Sequence, residues 1–97
     1  MTIGRFRNGT QNVDESGTAE ALVAANTYVA SVSMKARDGN AGNIYLGDST
    51  VDSTTPPVTP GTVISVSDER GGAINLADIF VDADTNDDDV DFWYILL

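Results

Sequence analysis

The sequence predicts an all-β protein, folded as a compact β-sandwich or a partly closed barrel of about six to eight short antiparallel strands. Gly, Thr, Ser, Asn, Asp and Val are abundant among its 97 residues, whereas Leu, Lys and Glu are scarce, a bias typical of β-proteins with many turns. Apolar and polar residues alternate in several segments, as they do in strands with one buried face. Clusters of Gly, Pro, Asn and Asp separate these segments and indicate turns. A chain of this length holds one domain with one core.

The first seventeen residues are predicted to form an extended N-terminal arm, residues 1–17, ahead of a single sandwich domain over residues 18–97. This segment is polar and broken by glycines, with a short first strand predicted at residues 2–7; a frayed terminus is the alternative. It carries Arg5 and Arg7, two of the five basic residues of the chain. We therefore expect the arm to lie on an acidic surface of a partner.

Residues 20–24 and 27–37 are predicted to form the next two strands, with a turn between them. The second of these segments alternates with a period of two, which assigns five residues to one face: Tyr28, Ala30, Val32, Met34 and Ala36. Ala and Leu favour helices, so a helix over residues 18–25 is the alternative for the first segment.

Two further strands are predicted in the middle of the chain, at residues 44–47 and 62–67. Residues 38–43 and 68–72 have the composition of turns. Residues 54–61 contain all three prolines of the chain and are predicted to form a loop, because proline removes a ladder donor and restricts the residue before it.

The stretch from residue 74 to residue 97 is predicted to form a closing β-hairpin, in which an Asp- and Asn-rich tip joins two strands. Alternation divides the last strand into two faces. Its core face comprises Val90, Phe92, Tyr94 and Leu96. Its opposite face comprises Trp93, Ile95 and Leu97. Because the opposite face is also apolar, we expect a second layer of the domain, a neighbouring copy or another protein to cover it.

The composition excludes several kinds of site. Cysteine and histidine are both absent, which rules out a disulfide framework, a thiolate or His-based metal site and a Ser–His triad. The formal net charge of −10 argues against nucleic acid and anionic membranes as partners. Neither a signal peptide nor a spanning run of about 20 apolar residues is visible. We expect no catalysis and no cofactor.

An acidic segment near the C-terminus partly matches a calcium-binding loop. The first four ligand positions correspond to Asp82, Asp84, Asn86 and Asp88. The match fails at Asp87, where the loop needs Gly, and at Trp93, where it needs a bidentate Glu. We predict a solvated turn without a metal, and a calcium site is the alternative.

Three aromatic residues, Tyr45, Trp93 and Tyr94, would make a sugar-stacking platform if they shared a surface. Aromatic residues at strand spacing more often belong to a core or an interface. A core or interface role is therefore the prediction for them.

Three segments of the chain together resemble a known group of proteins. They contain Ile44-Tyr-Leu-Gly-Asp-Ser-Thr-Val51, the Pro60-Gly61 pair before a strand, and Ile79-Phe-Val-Asp-Ala83. Their order resembles small β-rich virion proteins of tailed bacteriophages, found among capsid decoration (cement) proteins and head-fibre or tail components. The resemblance covers roughly residues 33–95. It implies a rigid sandwich that adds to a capsid or tail surface, often as a symmetric oligomer.

The residues and the resemblance together predict a non-enzymatic phage virion protein, foremost a capsid decoration protein that binds the major capsid protein or another virion protein and stabilises the shell. A tail- or fibre-associated adhesin or carbohydrate-binding module that contacts the host is the alternative. We expect a homo-oligomer located in the virion after assembly in the host cytoplasm. The expected interface residues are Arg5, Arg7, Trp93, Ile95 and Leu97.

Overall fold

The computed structural model describes residues 5–68 and 70–97, which form two antiparallel β-sheets. The strands in chain order are β1 Phe6–Val13, β2 Glu20–Ala21, β3 Tyr28–Ala36, β4 Ile44–Gly47, β5 Val63–Ser67, β6 Ile74–Asn75, β7 Phe80–Ala83 and β8 Asp88–Leu96. A short 3-10 turn at Leu76–Asp78 separates β6 from β7. Nothing helical in the described residues has the length and apolarity to cross a membrane. The predicted all-β class is confirmed.

The larger sheet, sheet A, has the strand order β1-β8-β3-β5, and β6 continues the β5 edge beside the first residues of β3. The smaller sheet, sheet B, has the order β2-β7-β4. No ladder joins the two sheets within the described residues. The fold is therefore a sandwich and not a closed barrel.

The core lies between sheet B and one face of sheet A, the inner face. Its fully buried members come from both sheets and from loops: Val13, Leu22, Val29, Val32, Ile44, Leu76, Val81 and Val90. Phe92 adds an aromatic ring that is 3% exposed. This ring packs on Gly9, where an added Cβ would lie 2.6 Å from the Phe92 Cζ atom. Glycine is therefore required at this position of β1.

Most of the described part of the predicted N-terminal arm, Phe6–Val13, is strand β1 of sheet A. β1 pairs with β8 over eight positions, from Phe6 opposite Ile95 to Val13 opposite Asp88. Val13 is fully buried, so this segment also supplies core. The predicted division at residue 17 does not separate an arm from the domain. Of the strand predicted at residues 2–7, the first three residues lie outside the described residues.

The predicted closing hairpin is wrong, because its two strands belong to different sheets. β7 pairs with β2 and β4, whereas β8 pairs with β1 and β3. The acidic segment between them carries the chain from sheet B to sheet A. The Asp and Asn residues correctly indicated a turn, but a turn does not determine the pairing partner of the strand that follows it.

Strand predictions at residues 27–37, 44–47 and 62–67 are confirmed to within one residue at each end. The helix considered for residues 18–25 is absent: this segment holds only β2 and bends. A register shift between Val29 and Ser31 makes Ala30 an extra residue, as in a β-bulge. Val29 is therefore fully buried while Tyr28 is 52% exposed, and the predicted common face is wrong at Tyr28.

Candidate interaction surface

The outer face of sheet A has no layer over it among the described residues, and we call it the open face. Strand register and alternation assign its members: Phe6, Asn8, Thr10 and Asn12 from β1, Asp89, Asp91, Trp93 and Ile95 from β8, Ser31, Ser33 and Lys35 from β3, and Val63, Ser65 and Ser67 from β5. Not one of these residues is buried. The open face is thus a four-stranded surface available to a partner.

Large apolar side chains gather at one end of the open face. We call this group the apolar patch: Phe6, Trp93 and Ile95 of the open face, with Tyr28 and Leu97 beside them. Phe6 lies opposite Ile95 in the ladder, and the Leu97 amide donates to the Tyr28 carbonyl oxygen at 3.3 Å. Exposed fractions are 65% for Phe6, 52% for Tyr28, 40% for Ile95 and 62% for Leu97. The other exposed large apolar residues of the described chain all lie on β5.

The opposite end of the open face is charged and internally paired. Arg37 donates from Nε and Nη2 to both carboxylate oxygens of Asp91 at 3.1 and 2.7 Å, and from Nη1 to Asp89 at 2.8 Å. Thr10 donates to Asp91 at 2.7 Å, and Asn12 donates to Asp89 at 2.9 Å. The hydrogen bonds from Arg37 hold the pKa of Asp91 below its ordinary value. Bidentate pairing links Arg37, which directly follows β3, to side chains of β8 and β1.

Polar side chains form a row across the middle of the open face, between its apolar and charged ends. The only tryptophan of the chain lies within this row. Trp93 lies between Asn8 of β1 and Ser33 of β3 in the ladder. The hydroxyl groups of Ser33 and Ser65 are 2.9 Å apart. Trp93 therefore combines an apolar neighbour, Ile95, with hydrogen-bonding side chains on both sides.

The predicted interface residues do not all share one surface. Trp93, Ile95 and Leu97 lie together in the apolar patch. Arg5 lies beside the end of β8, where its Nε donates to the Leu96 carbonyl oxygen at 3.0 Å. Arg7 is paired with Tyr94 and by alternation lies on the side of the sheet away from Trp93.

Sequence reasoning missed two members of the apolar patch, Phe6 and Tyr28. The strand prediction at residues 2–7 contained Phe6, but its pairing with Ile95 depends on the position of β1 beside β8. Tyr28 faces outward only because of the bulge after Val29. No sequence signal identified that bulge.

Side chains of the segment Asp82–Asp88, the acidic corner, hold the neighbouring loops. Asp82 is 2% exposed and accepts a hydrogen bond from the Gly17 amide at 2.9 Å. Asp88 is 6% exposed and accepts from the Ala41 and Gly42 amides at 3.0 and 2.9 Å. Both buried carboxylates therefore stabilise turns through backbone donors.

The other two candidate calcium ligands also have separate partners. Asp84 accepts from the Tyr45 hydroxyl at 2.8 Å, which raises the pKa of Tyr45. The Asn86 side-chain oxygen accepts from the Ser16 amide at 2.8 Å. No group of three acidic residues that could hold a metal ion is found in the described part of the chain. These side chains therefore connect the acidic corner to the neighbouring loops.

The three aromatic residues considered for a sugar platform do not share a surface. Tyr45 is 5% exposed on sheet B. Tyr94 lies on the face of β8 opposite Trp93, and its ring stacks on Phe92 with centroids 5.9 Å apart. The three-residue platform is therefore wrong, and Trp93 alone reaches the open face.

Comparisons of this chain with protein-family models, with curated proteins and with solved structures give no match.

Proposed function

We propose that this protein is a non-enzymatic structural protein that attaches to a larger assembly through the apolar patch of its open face. The observation that carries this proposal is the clustering of four side chains that are each between 40% and 65% exposed, next to Trp93. Contiguous exposed apolar patches mark interaction sites. Trp and Tyr are among the residues that contribute most to binding at interfaces.

The size of the apolar patch indicates how it is used. Full burial of a large apolar side chain contributes about 1.5–3 kcal/mol, so covering the exposed halves of Phe6, Tyr28, Ile95 and Leu97 contributes roughly 3–6 kcal/mol. Association costs about 4–15 kcal/mol in lost freedom of motion. One patch therefore gives weak attachment, and stable attachment requires further contacts or linked copies. A repeating lattice supplies both.

We place this assembly in the virion of a tailed phage, where the protein decorates the capsid and contacts the major capsid protein. The resemblance of residues 33–95 to small β-rich virion proteins supports this placement. The net charge of −10 keeps a protein soluble at the copy number that a shell requires. The charged end of the open face, held by Arg37, offers a fixed polar rim beside the apolar patch.

A second candidate is a tail- or fibre-associated module that binds carbohydrate. One observation favours it: Trp93 is flanked in the ladder by Asn8 and Ser33, so an aromatic surface is bordered by hydrogen-bonding groups. Titration of Trp93 fluorescence with neutral oligosaccharides tests this candidate. Saturable quenching supports a saccharide site, whereas unchanged emission contradicts it.

Copy number distinguishes the two placements. Virions of the phage whose genome encodes this chain are purified, and the chain is quantified against the major capsid protein by mass spectrometry. Decoration predicts a copy number comparable with that of the major capsid protein. A few copies per particle indicate a tail or fibre location, and absence from the particle contradicts the virion placement.

The role of the apolar patch is tested by the double variant Trp93→Ser with Ile95→Thr. Both replacements are tolerated on an exposed strand, so we expect the variant to fold and to lose occupancy on the particle. The matched control is Ser49→Ala, at an exposed position in the loop after β4 and outside the open face. Wild-type occupancy of the double variant would show that the patch is not the attachment surface.

A further inference from the structure

Strand β5 forms a second exposed surface, separate from the apolar patch. All five of its residues are exposed, including Val63 at 51%, Ile64 at 37% and Val66 at 39%. On one side β5 pairs with β3. Within the described residues no strand pairs with its other side. The outer backbone groups of β5 are thus a free sheet edge.

An apolar groove lies beside this edge, on the inner face of sheet A. The groove has a volume of about 300 Å³. Six apolar side chains line it: Met34, Leu46, Ile64, Val66, Ile74 and Ile79. Sheet B borders the groove through Leu46 and Gly47 of β4 and leaves β5 partly uncovered. Ile64 and Val66, which face inward, therefore remain partly exposed.

β5 lacks the features that normally prevent edge-to-edge pairing. Natural edge strands carry charges, prolines or bulges, whereas β5 reads Val-Ile-Ser-Val-Ser. The opposite edge strand of sheet A, β1, carries Arg7 and the unsubstituted backbone of Gly9. The chain has 20 charged residues, fifteen acidic and five basic, yet none lies in β5 or lines the groove.

We propose that β5 pairs antiparallel with β5 of a second copy, about a two-fold axis at Ser65, so that two copies of sheet A form one continuous sheet. In this register Ser65 lies opposite Ser65 of the partner subunit, and Ile64 lies opposite Val66 of the partner subunit. All five residues of β5 are then paired, and apolar side chains face apolar side chains on the inner face. The two grooves meet at the axis and cover each other.

Charge selects this edge for contact between two copies. Each copy carries a net charge of −10, so most relative orientations bring acidic surfaces together and are repulsive. The uncharged edge of β5 avoids this repulsion. A five-residue strand is only about 17 Å long, and the contact is smaller than the ~800 Å² per partner of a standard stable interface. The dimer is therefore weak and forms at high local concentration, whichever assembly the apolar patch attaches to.

A single cysteine tests the proposed axis. The chain contains no cysteine, so Ser65→Cys introduces one thiol per copy at the position that pairs with itself. Directly opposed strand residues have Cβ atoms about 4.5–5.5 Å apart, close to disulfide geometry. Under mild oxidation we expect a covalent dimer on a non-reducing gel. The matched control is Ser53→Cys, in an exposed loop. We expect the control to cross-link more slowly than Ser65→Cys, on the order of tenfold or more, because its thiols meet only by random collision.

Two further measurements decide the result. Adding Ile64→Lys to Ser65→Cys places a charge at the shared grooves and should abolish the fast cross-linking while circular dichroism shows an intact fold. In the wild type, hydrogen exchange of the β5 amides that point away from β3 should slow as concentration rises from micromolar to millimolar, while exchange in the loop around Ser53 is unchanged. Equal cross-linking rates for the two cysteine variants, or β5 exchange that is independent of concentration, overturn the proposal.

Discussion

Replacement of Asp88 by alanine is the sharpest test of how the acidic corner stabilises the fold. Asp88 begins β8 and is 6% exposed. Its two carboxylate oxygens accept from the amides of Ala41 and Gly42. The side chain thus ties the turn after β3 to the start of β8. Asp88→Ala removes both acceptors and leaves those two backbone donors without a protein partner.

The expected loss follows from the two hydrogen bonds. A hydrogen bond to a charged group contributes about 1.5–3 kcal/mol, which gives an upper range of roughly 3–6 kcal/mol for the pair. Ala41 is exposed, so water replaces part of the lost interaction at its amide. We therefore expect the free energy of unfolding to fall by about 2–4 kcal/mol. A domain of this size loses about 4–8 °C in melting temperature per kcal/mol, so the shift should be roughly 8–30 °C.

Urea denaturation followed by circular dichroism measures this loss directly. The matched control is Asp14→Ala, which removes the same charge from an exposed position in the loop after β1 and should change stability by no more than about 0.5 kcal/mol. If Asp88→Ala is no less stable than Asp14→Ala, the buried carboxylate does not hold the turn.

Three further predictions concern the packing, ion binding and acid stability of the fold. Gly9→Ala should lower the free energy of unfolding by about 1–3 kcal/mol, because the added Cβ would displace the buried Phe92 ring. Gly39→Ala should leave stability unchanged, because a Cβ there has no atom within 4 Å. Equal urea midpoints for the two variants would refute the packing argument. Calcium should raise the melting temperature no more than an equal ionic strength of sodium does, because the four candidate ligands already accept hydrogen bonds from amides or a hydroxyl. A single saturable site in isothermal titration would contradict this. Arg37 lowers the pKa of Asp91 in the folded protein. The Asp91 carboxylate therefore stabilises the fold above its unfolded pKa of about 4, and this contribution is lost as pH falls through the lower folded pKa. Asp91→Asn should lose less stability in acid than the wild type, and an identical dependence of stability on pH would count against the pairing.

The strands of the sandwich were predictable where the local pattern decides them. β3, β4 and β5 follow alternation and turn composition, which act within a few residues. The pairing of β7 was not predictable, because the Asp- and Asn-rich turn between β7 and β8 specifies a change of direction and not a partner strand. Strand β8 pairs instead with the long strands β1 and β3, which provide more backbone hydrogen bonds than the short strand β7 would.

The N-terminal strand shows a second limit of local reasoning. After Phe6, the outward face of β1 is polar, and Gly9 stands on the inward face where a larger side chain is expected, so its sequence resembles a flexible arm. That glycine is required by the ring of Phe92, which lies 83 positions further along the chain. Long-range packing of this kind leaves no period in the sequence of β1 itself.

The apolar patch was also only partly predictable from the sequence. Alternation along β8 placed Trp93, Ile95 and Leu97 on one face, and the structure brings them together. Phe6 joins them through the pairing of β1 with β8, and Tyr28 joins them through a bulge. These two members depend on tertiary structure, so the extent of the apolar patch could not be derived from the last strand alone.

Trp93 offers the most direct test of the claim that the apolar patch attaches the protein to its assembly. It is the only tryptophan of the chain and lies at the edge of the patch on the open face, so its fluorescence reports on that surface alone. The measurement compares acrylamide quenching and emission of the free protein with those of the protein bound to particles in which tryptophan is replaced by a non-emitting analogue. Attachment through the patch predicts a blue shift and strong protection from quenching on binding. Bound protein whose Trp93 is quenched as readily as in the free protein would contradict attachment through the patch.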